Sequence, residues 1–431
     1  MTQEERRLKR QQDTKQAILL LAGMGCVALM VIVLIVLAIS FLFKNMDEPV
    51  TDTQVVVETE IETETESVNI DTESEEAIID PLTQEAISVV EGMTLEQKVA
   101  QMFIVTPDGL TGSNGATIVG NTTKSAYAAY PVGGLIYEND NFQTKEQTQA
   151  MLTAMESLSM DTIALPIFLG VEEEGGKASV VASKSPIDVD NIENMSEIGA
   201  AADANVAYEA GQKIGNYLYD LGFNMNFAPV ADVLSNSDNS AMAKRSFGSD
   251  SAMVGSMISG VLSGLTENNI MGVVKYFPGY GSTSGDGTEG AVSTAKTLDE
   301  LKASELVPFQ QVIDEGVGFV MVGHISVPSI TGSEIPSSLS EYMITQVLRN
   351  DMGFTGIVVT DAMNKKAITN SYASADAAVA AVEAGADIIL MPEDFKEAYE
   401  GIIEAVRRGV ISEERINTSL VRIVKAKLGM Y

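Results

Sequence analysis

The stretch IMGVVKYFPGYGSTSGDGTEG, residues 270–290, begins as a β-branched apolar run and ends as a glycine-rich loop. A run of this kind, carrying a charged Lys275 near its end and bounded by Pro278 and Gly279, reads as a buried strand that delivers a polar group to a loop. Seven further segments share the pattern. They are VAQMFIV (99–105), VGGLIYE (132–138), IFLGVE (167–172), MNFAPVADV (225–233), FVMVGHISV (319–327), GIVVTDAM (356–363) and ADIILMPED (386–394). Helix-period stretches lie between them, such as TKEQTQAMLTAMESL (144–158), NVAYEAGQKIGNYLYDLG (205–222), SAMVGSMISGVLSGLTEN (251–268) and KASELVPFQQVIDEG (302–316), and EERINTSLVRIVKAKLG (413–429) closes the series. Strand and helix alternating in this way predict an α/β fold, a TIM (β/α)8 barrel over residues 81–431, with an open doubly wound sheet as the rival.

Upstream of the barrel the composition changes twice. Residues 1–16 carry Arg6, Arg7, Lys9, Arg10 and Lys15 and precede an almost unbroken apolar run, 17–43. About 20 apolar residues cross a bilayer, and a signal peptide's apolar region is shorter, so the run reads as a retained single-pass transmembrane helix. Basic residues before it predict a cytoplasmic N-terminus, with the barrel outside the cell membrane. Residues 44–80 hold thirteen acidic residues and no basic one after Lys44, the composition of an extended acidic linker.

The 431 residues carry a formal net charge of −33, which argues against a nucleic-acid partner, because phosphate binding depends on clustered Lys and Arg. A single cysteine, Cys26, excludes an intrachain disulfide, and a single histidine, His324, argues against a histidine-rich metal centre. The glycines of 279–287 lack the Gly-Lys-Ser/Thr of a phosphate loop and suit a mobile loop closing over a substrate. No cofactor or metal is expected.

In a barrel of this kind, reactive groups gather at the carboxyl ends of the strands. Here those positions hold Glu172, Asp232, Lys275, His324 and Asp361. So many polar groups at one rim must pair with each other or bind a polar ligand. Asp361, after three apolar residues and Thr360, has the setting of a nucleophile, with a buried structural carboxylate as the alternative. His324, alone in an apolar strand, suits a hydrogen-bonded structural role as well as a ligand contact.

Six motifs in order, GGLIYEND, VEEEGGKAS, NFAPVADVLSNSDN with KRSFGSD, KYFPGYGSTSGDG, VMVGHISVP and GFTGIVVTDAMNKKAI, resemble the barrel domain of family 3 glycoside hydrolases over residues 86–431. The bacterial β-N-acetylglucosaminidase branch is the most similar. The resemblance implies a retaining glycosidase acting on β-linked N-acetylhexosamine in cell-wall or related glycans, with Asp361 as nucleophile and Asp232, Arg245 and Lys275 holding sugar hydroxyls. Glu172 and His324 join them as expected substrate contacts.

The chain departs from the family pattern around its acid. Tyr276 and Tyr280 stand where the family's K-H-F-P-G-H-G has histidines, and Thr288 stands at the acid/base histidine. Lys177 and Val180 replace family arginines. A threonine does not transfer protons near neutral pH, so the neighbouring Glu289 and Asp286 become the candidate acids. With no Trp in the chain, Tyr137, Tyr276 and Tyr280 are the candidate stacking surfaces for a sugar. A family member that binds a glycan or a protein partner without turnover is the alternative.

Overall fold

The computed structural model describes residues 80–430. The basic tail 1–16, the expected membrane segment 17–43 and the expected linker 44–80, apart from Asp80, lie outside the described residues. Among the described residues, no helix is long and apolar enough to cross a membrane.

Eight parallel strands form one sheet, numbered here in chain order: β1 Phe103–Val105, β2 Gly134–Tyr137, β3 Phe168–Val171, β4 Met225–Asn226, β5 Met271–Phe277, β6 Phe319–Val322, β7 Ile357–Thr360 and β8 Ile389–Leu390. All pairings are sequential except β8 with β1, where Phe103 pairs with Ile389. The ring closes between β7 and β8 through a parallel bridge from Val359 to Ile388, with Thr360 N donating to Ile388 O at 3.0 Å. Closure decides for the barrel and against the open sheet. It also removes both sheet edges, which would otherwise expose unpaired backbone groups.

The interior is filled by side chains. Phe168 and Phe319, at the first residues of β3 and β6, meet edge to face at 5.7 Å across the amino end of the ring. Both are buried, each contributing about 1.5–3 kcal/mol of apolar burial. Below them lies Lys427 of the last helix, Glu413–Leu428, fully buried with its Nζ 5.0 Å from the Phe168 ring and 2.7 Å from Gln101 Oε1.

Several boundaries differ from the sequence reading for identifiable reasons. Residues 99–101, expected as strand, belong to the helix Leu95–Gln101. A reciprocal capping box starts that helix, Thr94 Oγ1 accepting from Gln97 N and Gln97 Oε1 from Thr94 N. The fourth strand keeps only Met225 and Asn226, because Pro229 lacks the amide a ladder needs. Asp80, counted with the linker, caps the first helix by accepting from Thr83 N at 3.0 Å ahead of Pro81. It also binds Lys425 Nζ at 2.8 Å, which ties the last residue of the expected linker to the last helix.

Candidate active site

The carboxyl ends of the strands converge on a cavity of about 380 Å³ whose lining includes Asp361, Glu172, Glu138, Lys365, Thr288 and Val180. Asp361 follows β7, and its own N–H is anchored to Val322 O of β6 at 2.9 Å. The chain then turns, bringing Lys365 back over the carboxylate. Lys365 Nζ lies 2.8 Å from both Asp361 oxygens, and Ala362 N donates to Oδ1 at 2.8 Å. Burial opposes ionisation of Asp361, but the Lys365 ammonium, with its hydrogen bonds and that of the Ala362 amide, outweighs it, holding the carboxyl below its ordinary range. The result is an ionised carboxylate at the cavity wall, 4% exposed as a residue.

His324 supports that wall from behind. Its Nε2 is 3.0 Å from Ala362 O, which only accepts, so Nε2 carries the proton and Nδ1 accepts from Ser338 Oγ at 2.7 Å. Burial lowers its pKa and favours this neutral form. With both nitrogens used, His324 acts as a positioning residue for the segment after Asp361, which replaces the expected sugar contact.

Beside the cavity lies a knot of ionic groups. Fully buried Lys275 sits between Glu172 Oε1 at 2.5 Å and Glu174 Oε1 at 2.6 Å. Arg245 forks onto Glu174 with Nε at 2.7 Å and Nη2 at 2.6 Å, and Nη2 also donates to Tyr276 Oη at 2.7 Å. The Tyr276 ring takes the cationic heads of Arg245, Lys275 and Lys365 at 5.4, 5.2 and 5.2 Å from its centroid. Crowding opposes charge on half-buried Glu172, yet Lys275 and Arg245 keep it well below the carboxylate range. Of this group only Glu172 lines the cavity. Lys275, Arg245 and Tyr276, expected to touch sugar, are engaged with carboxylates and with each other one layer beneath.

Asp232 is also placed differently from expectation. It is fully buried, one oxygen accepts from Tyr280 N, and the other has no partner. Burial raises its pKa to about 8, so at neutral pH it is mostly a neutral acid inside the loop packing. Tyr280 covers it, with Oη accepting from Gly287 N and the ring 6.0 Å from that of Tyr276. Both tyrosines in the family's histidine positions thus bond groups that the resemblance assigned to sugar, Tyr276 through its hydroxyl to Arg245 and Tyr280 through its backbone N–H to Asp232.

The glycine-rich loop is not free along its first half. A Cβ on Gly281 would lie 2.0 Å from Val233 O, so only glycine permits that backbone approach. Asn236 N donates to Gly281 O at 3.0 Å and Asn239 Nδ2 to Tyr280 O at 2.9 Å. The second half presents Thr288 to the cavity, whereas Asp286 and Glu289 are exposed and do not line it. Asp286 accepts from Thr288 N at 2.9 Å, an Asx turn that shapes the loop. Neither of the two loop carboxyls therefore reaches the cavity that Thr288 faces.

The sequence reading passed over Lys365, Glu174 and Glu138. Lys365 was detectable as the i+4 neighbour of Asp361 and Glu174 as the third acid of VEEEGG. Glu138 lies in the quoted motif GGLIYEND, one residue beyond β2.

Residues 94–426 match the model of the glycosyl hydrolase family 3 N terminal domain. The chain belongs to glycosyl hydrolase family 3. Among curated relatives, Beta-hexosaminidase A of Pseudoalteromonas piscicida is 28% identical over 322 residues, which is 69% of this chain and 53% of that protein. Beta-hexosaminidase LpqI of Mycobacterium tuberculosis is 30% identical over 314 residues, covering 69% of this chain and 76% of its own. A solved family 3 β-N-acetylglucosaminidase from Paenibacillus sp. superposes with a TM-score of 0.72 at 33% identity, over 78% of this chain and 63% of that one. The chain thus spans little more than half the length of the first of these relatives.

Proposed function

We propose that the barrel is a retaining β-N-acetylhexosaminidase in which Asp361 attacks the anomeric carbon of a terminal β-linked amino sugar. The observation that carries this reading is the ionised Asp361 at the wall of a sugar-sized cavity, held by Lys365 and the Ala362 amide. Attack forms the Asp361–C1 ester as the glycosidic C1–O bond breaks, and water then releases the sugar with its configuration retained. The names of the similar proteins, which are hexosaminidases and an N-acetylglucosaminidase, support the substrate class. The basic tail, apolar run 17–43 and acidic stretch 44–80 support anchorage in the cell membrane with envelope glycans as substrate.

Glycan binding without turnover is the second reading, favoured by Thr288 at the cavity in place of a proton-transferring side chain. One experiment separates the two. The purified chain is assayed on an aryl β-N-acetylglucosaminide with a good leaving group, beside Asp361→Asn. Turnover that the substitution abolishes supports the enzyme, with the anomer of the first product read by NMR. Absence of turnover, with saturable sugar binding by calorimetry, replaces it with the binding reading.

A further inference from the structure

We propose that Glu138 is the general acid/base of this barrel, supplying from the end of β2 the proton that Thr288 cannot. The inference rests on the retaining glycosidase reading and assigns the second group such a reaction requires.

The register places it. Tyr137 of β2 pairs with Val171 of β3, so Glu138 and Glu172 are the next residues at the rim of adjacent strands, and both line the cavity with Asp361. The two carboxyls differ in their partners. Glu172 is tied to Lys275 at 2.5 Å, whereas among the described residues no ion pair holds Glu138. The charges around Glu138 are the carboxylates of Asp108, Asp140 and Glu172 and the more weakly felt ammonium of Lys184. Partial desolvation and then those three acids raise its pKa, with Lys184 opposing. One carboxyl kept ionised and its neighbour pushed toward protonation is the arrangement that divides labour between acid and base.

Three other titratable groups of the lining fail the same requirement. Glu172 is held ionised, the buried Tyr137 phenol is pushed far above neutral pH, and the Lys365 proton is shared with the nucleophile. Asp286 and Glu289 lie outside the lining.

The step balances as follows. Protonated Glu138 gives its proton to the glycosidic oxygen as the C1–O bond breaks and Asp361 bonds to C1, and the aglycone leaves as an alcohol. The Glu138 carboxylate then takes a proton from water, whose oxygen attacks C1. The ester bond breaks, returning Asp361 to its carboxylate and Glu138 to its acid.

The test compares native chain, Glu138→Gln and Glu138→Ala on two aryl β-N-acetylglucosaminides, one with a dinitrophenolate leaving group and one with a poor phenolate. We expect kcat/KM on the poor substrate to fall by about 10²- to 10⁴-fold, and on the activated one by less than about 10-fold. Azide should restore turnover of the activated substrate by Glu138→Ala, yielding a β-glycosyl azide, and the alkaline limb of the pH profile should vanish in both variants. The ratio of the two substrates is independent of how much variant folds. Equal losses on both, without azide rescue, overturn Glu138 alone. No turnover of either substrate by the native chain overturns the glycosidase reading and this assignment together.

Discussion

Lys365 Nζ stands 2.8 Å from each carboxylate oxygen of Asp361, four residues earlier in the chain. Asp361 is buried and Lys365 partly so, with side-chain exposures of 6% and 22%, so the attraction is only weakly screened. Lys365→Met removes the cation that outweighs burial, and the Asp361 pKa rises. The acidic limb of kcat/KM then moves to higher pH, so activity at pH 5 falls more than at pH 8. Lys365→Arg keeps the limb near its original place. A pH–rate series on the three proteins checks this.

The Lys275 knot makes a different prediction, about stability. Removing its ammonium leaves Arg245 as the one cation facing two carboxylates, buried Glu174 and half-exposed Glu172, which costs about 1–3 kcal/mol. Lys275→Met should lower the urea midpoint accordingly. Adding Glu174→Gln to it should recover part of the loss, since one orphaned charge is then gone.

Lys427 predicts a slope of stability with pH. Burial pushes its pKa from 10.5 down to about 7, so between those values the unfolded chain holds a proton that the folded chain has released. Its contribution therefore rises as pH increases from 7 toward 10.5 and is least favourable at and below 7. Lys427→Met should raise the melting temperature at pH 6, and the difference from the native chain should shrink by pH 10.

His324 acts in the same direction at lower pH. Its folded pKa lies below the ordinary 6.5, so the unfolded state takes up a proton first as pH falls, and stability is lost below that value. His324→Gln can still donate to Ala362 O and accept from Ser338 Oγ. It should flatten the difference in melting temperature between pH 7 and pH 5 while lowering kcat by about 10-fold through the looser Asp361 segment.

The fold was legible because its signal is local. Each barrel strand is a short apolar run buried on both faces, and the helices between them carry 3.6-residue periodicity, so all eight strands fall inside the apolar segments of the sequence. The boundaries were less legible where a nearby group overruled the run, as with the Thr94 capping box and Pro229. Placing Asp361 at the rim followed from its position after β7, and that much needs only the strand.

What surrounds Asp361 was not written locally. Lys275, Arg245, Glu172 and Glu174 come from three separate segments, and whether a cation faces sugar or a carboxylate is decided only when those segments are packed together. The loop acids Asp286 and Glu289 are near Thr288 in sequence, yet the cavity is lined by Thr288 and by Glu138 from the end of β2, and by neither of them. The sequence by itself determined the alternating strands and helices, the family and the carboxylate after β7, since these depend on periodicity and on single positions. Only the tertiary structure decided which charges neutralise one another and which remain free at the cavity, because Coulomb interactions follow distance in space and the barrel joins residues more than a hundred positions apart.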